Sequence, residues 1–374
     1  MGTGLYIHVP FCLARCDFCA FSLQVFREDI AQRYVKALCR EIQLHAEGDT
    51  LRGRSLDTVY FGGGTPTTLQ PHQLCDILEK VKQHFKYDQD LEVTVEAHPD
   101  TVTSDGLRLL TGSGFNRLSL GVQSLVDTEL SRVGRPTLPT GVSTAVTRAR
   151  QAGFRNLNLD FIYGLPGQTT ESWISTLDEA LALEPTHLSC YALTVEERTT
   201  LDLGVRKGTS PAPDPALQNA MDVAAARRLR EAGFTRYEIS NYARPGYACR
   251  HNLLYWEAGD YLGLGPSAQS FIQGRRFGNE EKVSTYARSL EEGRLAIAEA
   301  ESLTQEQQQR EAVVFGLRLT KGIDRSLVAV LTEEAWHHTR RELLDHGLLE
   351  EGTDRIRLTD EGRRYADSVA VELL

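Results

Sequence analysis

The chain has 374 residues, 41% hydrophobic and 25% charged, with a formal net charge of −10. That is ordinary globular composition, long enough for two or three domains with a substantial core. It excludes binding to nucleic acid through overall positive charge, and the absence of any apolar run of about 18 residues excludes a membrane-spanning helix.

From the N-terminus to about Thr194, short β-branched runs alternate with helical patterns. Leu5–His8 reads as a first strand and leads into a loop carrying Cys12, Cys16 and Cys19. Ile30, Tyr34, Val35, Leu38 and Ile42 recur at helical spacing behind Asp29, a suitable N-cap. Thr58–Phe61 is the second strand, followed by a glycine run and a helix from Pro71 to about Phe85. Leu91–Glu96 is the third strand, with a helix over Ser104–Ser113. Arg117–Val122 is the fourth, with Thr140–Ala152 in its helical return. Asn156–Ile162 is the fifth, Thr170–Leu183 its helix, and His187–Tyr191 the sixth. Six such units in series predict an α/β fold whose parallel sheet curves into a partial (β/α)6 barrel. Ligands in such sheets gather at the carboxyl ends of the strands.

Three prolines between Lys207 and Pro215 mark a loop, and a helix follows from about Ala216 to Ala232. Strand-like pieces run on through Phe277. Helical patterns at Gln305–Leu319, Asp324–Val330 and Glu333–Asp345 precede a hairpin pattern at Gly347–Glu350 and Ile356–Thr359. That order resembles a winged-helix-like α+β domain. Its acidic and basic residues nearly balance, which favours packing or partner docking over DNA. The expected division is 1–206, 207–300 and 301–374. No internal repeat or low-complexity tract is present.

The three early cysteines match C-x3-C-x2-C, a spacing suited to a [4Fe–4S] cluster with three protein ligands and one open iron. Zinc with a distant fourth ligand and incidental thiols are the alternatives, although no second cysteine pair is present. Cys39, Cys75, Cys190 and Cys249 stand singly and read as ordinary buried cysteines. Seven unevenly spread cysteines, with no secretory pattern at the N-terminus, point to a cytoplasmic protein without a disulfide framework. Gly62-Gly63-Gly64-Thr65-Pro66 follows the second strand, where glycines leave the backbone bare for a ligand. No Gly-Lys-Ser/Thr follows, so this is not a P-loop.

Together these features resemble the radical S-adenosylmethionine (SAM) superfamily. That resemblance implies a cluster on Cys12, Cys16 and Cys19, with SAM chelating the fourth iron. Tyr6-x-His8-x-Pro10-Phe11-Cys12, Gly121-Val-Gln-Ser124, Gly134-Arg135 and Asp160-Phe-Ile-Tyr-Gly-Leu-Pro-Gly-Gln168 further resemble its oxygen-independent coproporphyrinogen III oxidase branch. By motif position, Tyr6, Phe18, Gly63, Gly64, Thr65, Glu96, Gln123, Arg135 and Asp160 would line the SAM site. Arg135 can pair bidentately with a carboxylate, and Glu96 and Asp160 can accept from hydroxyls or an ammonium. His8 fits the motif equally well as a structural residue.

Within the branch, the oxidases carry a further cysteine where this chain has Phe21, and an N-terminal extension that is not seen here. His251-Asn252-Leu-Leu-Tyr255-Trp256 and Tyr261-Leu-Gly-Leu-Gly-Pro266 instead resemble the haem-chaperone subfamily. This implies haem as cargo, haem-acceptor proteins as partners, a reductant of flavodoxin or ferredoxin type, and a homodimer. His251 is the candidate haem ligand, with hydrogen-bonded loop orientation as the alternative. Thr137, Ser267, Gln269 and His98 depart from the pattern of these relatives. A coproporphyrinogen decarboxylase and a radical SAM C-methyltransferase are the other two readings.

Overall fold

A computed structural model of the chain describes residues 2–135, 139–329, 331 and 334–373. Six parallel strands lie side by side in chain order: β1 (Thr3–Val9), β2 (Leu56–Gly63), β3 (Tyr87–Ala97), β4 (Arg117–Gln123), β5 (Asn156–Tyr163) and β6 (His187–Ala192). The crossovers carry helices α1 (Glu28–Glu47), α2 (Pro71–His84), α3 (Ser104–Ser113), α4 (Asp127–Ser131), α5 (Pro139–Gln151) and α6 (Thr170–Ala182). Each strand alternates between two environments, as the two-residue period requires. Leu5, Ile7, Val59, Phe61, Val93, Val95, Leu118, Leu120, Leu157 and Leu159 belong to one buried apolar core with the helices. The intervening residues face inward and are polar. The register sets Tyr6 beside Tyr60, Tyr60 beside Thr94, Thr94 beside Arg117, Ser119 beside Asn158, and Asp160 beside Ser189. A barrel with a polar interior is built to hold something other than its own side chains.

After α7 (Thr200–Arg206) and α8 (Pro215–Glu231), the chain covers both edges of this sheet. β7 (Thr235–Arg236) and β8 (Asn241–Ala243) extend the β6 edge. The chain then crosses through α9 (Arg250–Trp256) to β9 (Asp260–Leu264), which pairs parallel with β1. β10 (Gln269–Ile272), β11 (Arg275–Asn279) and β12 (Ile297–Ser302) continue antiparallel from it. These additions move the sheet's edges from β1 and β6 out to β12 and the two-residue β7. The helix α9 stands where the sequence suggested only strand-like pieces.

The C-terminal region has its own apolar cluster, including Val313, Leu317, Trp336, Leu343, Ile356, Leu358 and Val369. It surrounds a three-stranded antiparallel sheet of Ile323–Asp324, Leu349–Glu351 and Arg355–Leu358. Helices Arg325–Ala329 and Glu334–Asp345 precede the hairpin, while Val330 and Glu333 lie outside the described residues. Two further helices, Asp360–Arg364 and Ala366–Leu373, follow the hairpin and were not anticipated. Two of the single cysteines also differ from expectation: Cys190 and Cys249 are buried, but Cys39 and Cys75 are only half-buried. Both of those lie on helices covering the sheet, α1 and α2.

Candidate functional site

The cysteine loop sits at the carboxyl end of β1. Two-residue strands Phe11–Cys12 and Gln24–Val25 pair in parallel and clamp its ends. Asp17 N–H donates to Val133 O (3.0 Å), Leu201 N–H donates to Asp17 O (2.9 Å), and Cys19 N–H donates to Cys16 O (3.1 Å). Arg15 ties the far side by donating to the carbonyls of Cys19 (3.3 Å) and Phe21 (3.0 Å). Phe18 is half-buried beside Val133, Leu165 and Leu201, so it anchors the loop by packing.

The three thiols and Arg135 form one electrostatic group. Burial raises the Cys12 thiol pKa, opposed by Thr65, with Cys19 and Cys16 adding to the rise and Arg135 lowering it. Burial likewise raises Cys19, where Cys16 adds to the rise and Arg135 again opposes it. Arg135 Nη1 donates to Cys16 Sγ at 3.4 Å, and Thr65 Oγ1 lies 3.4 Å from Cys12 Sγ. Among the described residues, no three His, Cys, Asp or Glu side chains gather closely enough to hold one metal ion. A single zinc ion draws its thiolates tightly together. In a cubane each thiolate binds a different iron, so the sulfurs stand farther apart. Three half-buried thiols on one loop, with Arg135 beside Cys16, are the donor set that a cubane with three protein ligands takes.

The glycine run closes over this loop. Gly63 has φ +108°, and a Cβ there would lie 2.7 Å from the His8 ring. A Cβ on Gly64 would lie 2.5 Å from Phe11 O, while Gly64 N–H and Thr65 N–H donate to Val9 O (2.9 Å) and Phe11 O (2.7 Å). These glycines let β2 approach the cysteine segment. Gly63 N–H also donates to Glu96 Oε2 (3.2 Å), and Tyr60 O–H donates to Glu96 Oε1 (2.7 Å). Burial, more than the nearby Asp160, raises the Glu96 pKa to about 7 against these two hydrogen bonds. Tyr6 lies on the same inner face; its hydroxyl is 3.1 Å from His8 Nδ1, and burial lowers His8 to about 4.

Across the barrel, Asp160 accepts from Ser119 Oγ and from Asn158 Nδ2, both at 2.8 Å. Gln123 adopts φ +70° at a register shift between β4 and β5. Such bulges re-aim side chains beside functional sites. Arg135 Nη2 donates to Gly121 O (2.5 Å), and Arg135 Nε is buried without a partner among the described residues. Tyr6, Gly63, Gly64, Thr65, Glu96, Gln123, Arg135 and Asp160 thus stand on strand ends or their loops around the cysteines. Sequence reasoning missed Tyr60, Ser119 and Asn158, which hold the two carboxylates. Their inward parity with Tyr6, Glu96 and Asp160 was the available signal.

His251 lies toward the amino ends of the strands, where its ring also stacks on Tyr6 with centroids 6.3 Å apart. Its Nδ1 is 2.7 Å from Thr58 Oγ1, its Nε2 is 2.9 Å from Tyr255 Oη, and the ring stacks on Tyr60 with centroids 5.0 Å apart. It is buried, and burial lowers its pKa to about 3. In this arrangement neither nitrogen is free for iron, so the orienting alternative fits and the ligand expectation does not. Glu92 caps the start of α9, accepting from Arg250 N–H and His251 N–H, both at 3.1 Å. Tyr237, His187 and Asn158 continue this floor, with His187 Nε2 2.8 Å from Tyr237 Oη and Nδ1 2.6 Å from Asn158 Oδ1. Of the departures noted in sequence, His98 accepts from Asp100 N–H (3.2 Å) through Nδ1, whereas Thr137 lies outside the described residues.

Comparison with known proteins agrees with this architecture. The family model for the Radical SAM superfamily matches residues 6–180, and that for the HemN C-terminal domain matches residues 303–365. A Mycobacterium tuberculosis protein named heme chaperone HemW is 36% identical over 99% of this chain and 94% of its own length. A Bacillus subtilis protein of the same name is 32% identical over 97% of both. The Escherichia coli coproporphyrinogen III oxidase HemN, described as a radical SAM enzyme, is 27% identical with a TM-score of 0.85, covering 100% of this chain and 90% of that one. The chain belongs to the radical SAM superfamily, in the branch of the coproporphyrinogen III oxidases, and within that branch to the HemW family.

Proposed function

We propose that the protein is a haem chaperone that carries a [4Fe–4S] cluster and SAM and delivers haem to acceptor proteins. The observation that carries this reading is near-full-length similarity to proteins named heme chaperone HemW. Phe21, 63% exposed where the oxidases carry their further cysteine, supports it over decarboxylation.

Cys12, Cys16 and Cys19 would hold the cluster, which when bound supplies an electron and an open iron for the methionine group of SAM. Arg135, already beside Cys16, offsets thiolate charge and can turn a guanidinium edge to the SAM carboxylate. Glu96 and Asp160, fixed by Tyr60 and by Ser119 with Asn158, offer acceptors to its ammonium and ribose hydroxyls. Gly63, Gly64 and Thr65 bring bare backbone close, while Tyr6, Phe18 and Gln123 shape the remaining wall. In this division residues 1–206 hold the cofactors, and 207–300 with 301–374 handle cargo. A flavodoxin- or ferredoxin-type reductant, a homodimer and a cytoplasmic location belong to the same proposal. Among the described residues no helix is long and apolar enough to cross a membrane.

The test is anaerobic reconstitution of the full chain followed by two incubations. With haem, a stoichiometric Soret shift and transfer to an apo-haemoprotein are expected. With coproporphyrinogen, SAM and reductant, protoporphyrinogen formation would overturn the reading in favour of the oxidase.

A further inference from the structure

A cavity of about 560 Å³ lies between α9, β9, β10 and helix α10 (Gln305–Gly316), and Tyr255, the hydrogen-bond partner of His251, is part of its wall. That volume is typical of a small-molecule site. Trp256, Tyr261, Phe271, Phe315 and Leu327 supply much of its wall, beside charged side chains of both signs that include Arg276. The strand register explains the grouping: Tyr261 pairs with Phe271, and Phe271 pairs with Arg276, so all three share one face of the sheet. Tyr261 meets Tyr255 edge-on with centroids 4.6 Å apart, and Arg276 lies 6.0 Å from the Phe271 ring centroid. The Trp256 indole N–H is buried with no hydrogen-bond partner among the described residues.

We propose that this cavity is the haem cargo site and that the Tyr261 phenol oxygen is the axial ligand to ferric iron. The proposal deepens the haem-chaperone reading and rests on it. Aromatic walls suit a flat apolar macrocycle, and phenolate is an established axial ligand. Among the described residues no His, Cys or Met lines the cavity, which leaves the tyrosines as its candidate iron ligands. Tyr255 points its hydroxyl at His251. On binding, the Tyr261 O–H bond is exchanged for an Fe–O bond and the proton passes to solvent, with no change in oxidation state. Arg276, held by Glu311 (2.6 Å) and Glu301 (3.2 Å), shares the sheet face of Tyr261. Lys321 pairs with exposed Glu257 (2.6 Å), a surface contact that a haem propionate can replace.

The test titrates ferric haem into the anaerobically reconstituted full chain and follows the Soret band and the resonance Raman iron–phenolate vibrations. Tyr261→Phe is expected to abolish those vibrations and weaken binding about tenfold or more. Ala312→Trp, which fills the cavity from α10, is expected to remove stoichiometric binding. His251→Ala is expected to keep the phenolate signature. Unchanged haem spectra and affinity in both Tyr261→Phe and Ala312→Trp would overturn this site while leaving the chaperone reading intact. Failure of the wild-type chain to bind haem would overturn both.

Discussion

The two ends of the barrel contrast in how their polar groups are satisfied. At the floor, Glu92 receives two backbone donors of α9, His251 uses both ring nitrogens, and His187 bridges Tyr237 to Asn158. Among the described residues, Arg117 Nε and Nη1 and the neighbouring Thr94 Oγ1 remain without partners there. At the mouth, three thiols stand half-buried, Arg135 keeps a buried nitrogen unpartnered, and Leu13, Phe21 and Val25 are exposed around the loop. Most floor groups are satisfied by the chain itself; the mouth leaves thiols and a guanidinium nitrogen open, as the proposed cofactor site requires. Buried polar groups are costly unless paired, so the contrast separates residues kept for folding from residues kept for ligands.

The largest expected effect breaks the mouth alone. Cys12→Ser, Cys16→Ser or Cys19→Ser should each reduce cluster iron to near background while leaving the far-ultraviolet circular dichroism unchanged. Iron analysis after anaerobic reconstitution measures it, and full retention of iron in all three would remove these residues from the ligand set. The floor should respond in the opposite sense. Glu92→Ala strips the cap from α9 and leaves the Arg117 charge without its neighbour, which should cost about 3–5 kcal/mol in denaturant unfolding. Iron content of the folded fraction should stay at the wild-type level.

Two pH experiments sharpen the comparison. Glu41 joins α1 to the β9–β11 edge, accepting from Tyr286 Oη (2.5 Å), Asn279 Nδ2 (2.6 Å) and Gly265 N–H (2.8 Å). Burial raises its pKa from 4.5 to about 7. The folded state holds this proton more tightly than the unfolded chain. The resulting stability is therefore complete below the unfolded pKa and declines as pH rises to about 7, a loss of about 3 kcal/mol. Glu41→Gln should flatten that part of the stability curve; an unaltered slope would contradict the assignment. Glu96 at the mouth is also raised to about 7, but there the proton competes with a ligand. If its carboxylate meets the SAM ammonium, SAM affinity should rise roughly tenfold from about pH 6 to pH 8. Glu96→Gln should remove that dependence, as read by calorimetric titration.

Sequence reasoning reached the six-strand barrel because its strands are short alternating runs, each followed by a helical pattern. It also named most of the residues that the structure gathers at the mouth, because three cysteines, a glycine run and acids on strands stand at fixed spacing. What it missed depends on pairing between distant segments. Tyr60 and Asn158 become supports only when the register sets them beside Tyr6 and Ser119. His251 looked like a ligand because its partners, Thr58 and Tyr255, are fixed by the crossing of α9 beneath the barrel. Gln123 gave no warning of its left-handed backbone, which arises from the shift between β4 and β5.

The most direct measurement is electron paramagnetic resonance of the anaerobically reconstituted, reduced full chain with and without SAM. A cubane spectrum from about four irons per chain, shifted in g-values by SAM, is the predicted result. A zinc-loaded protein, or an iron–sulfur spectrum indifferent to SAM, would contradict the account.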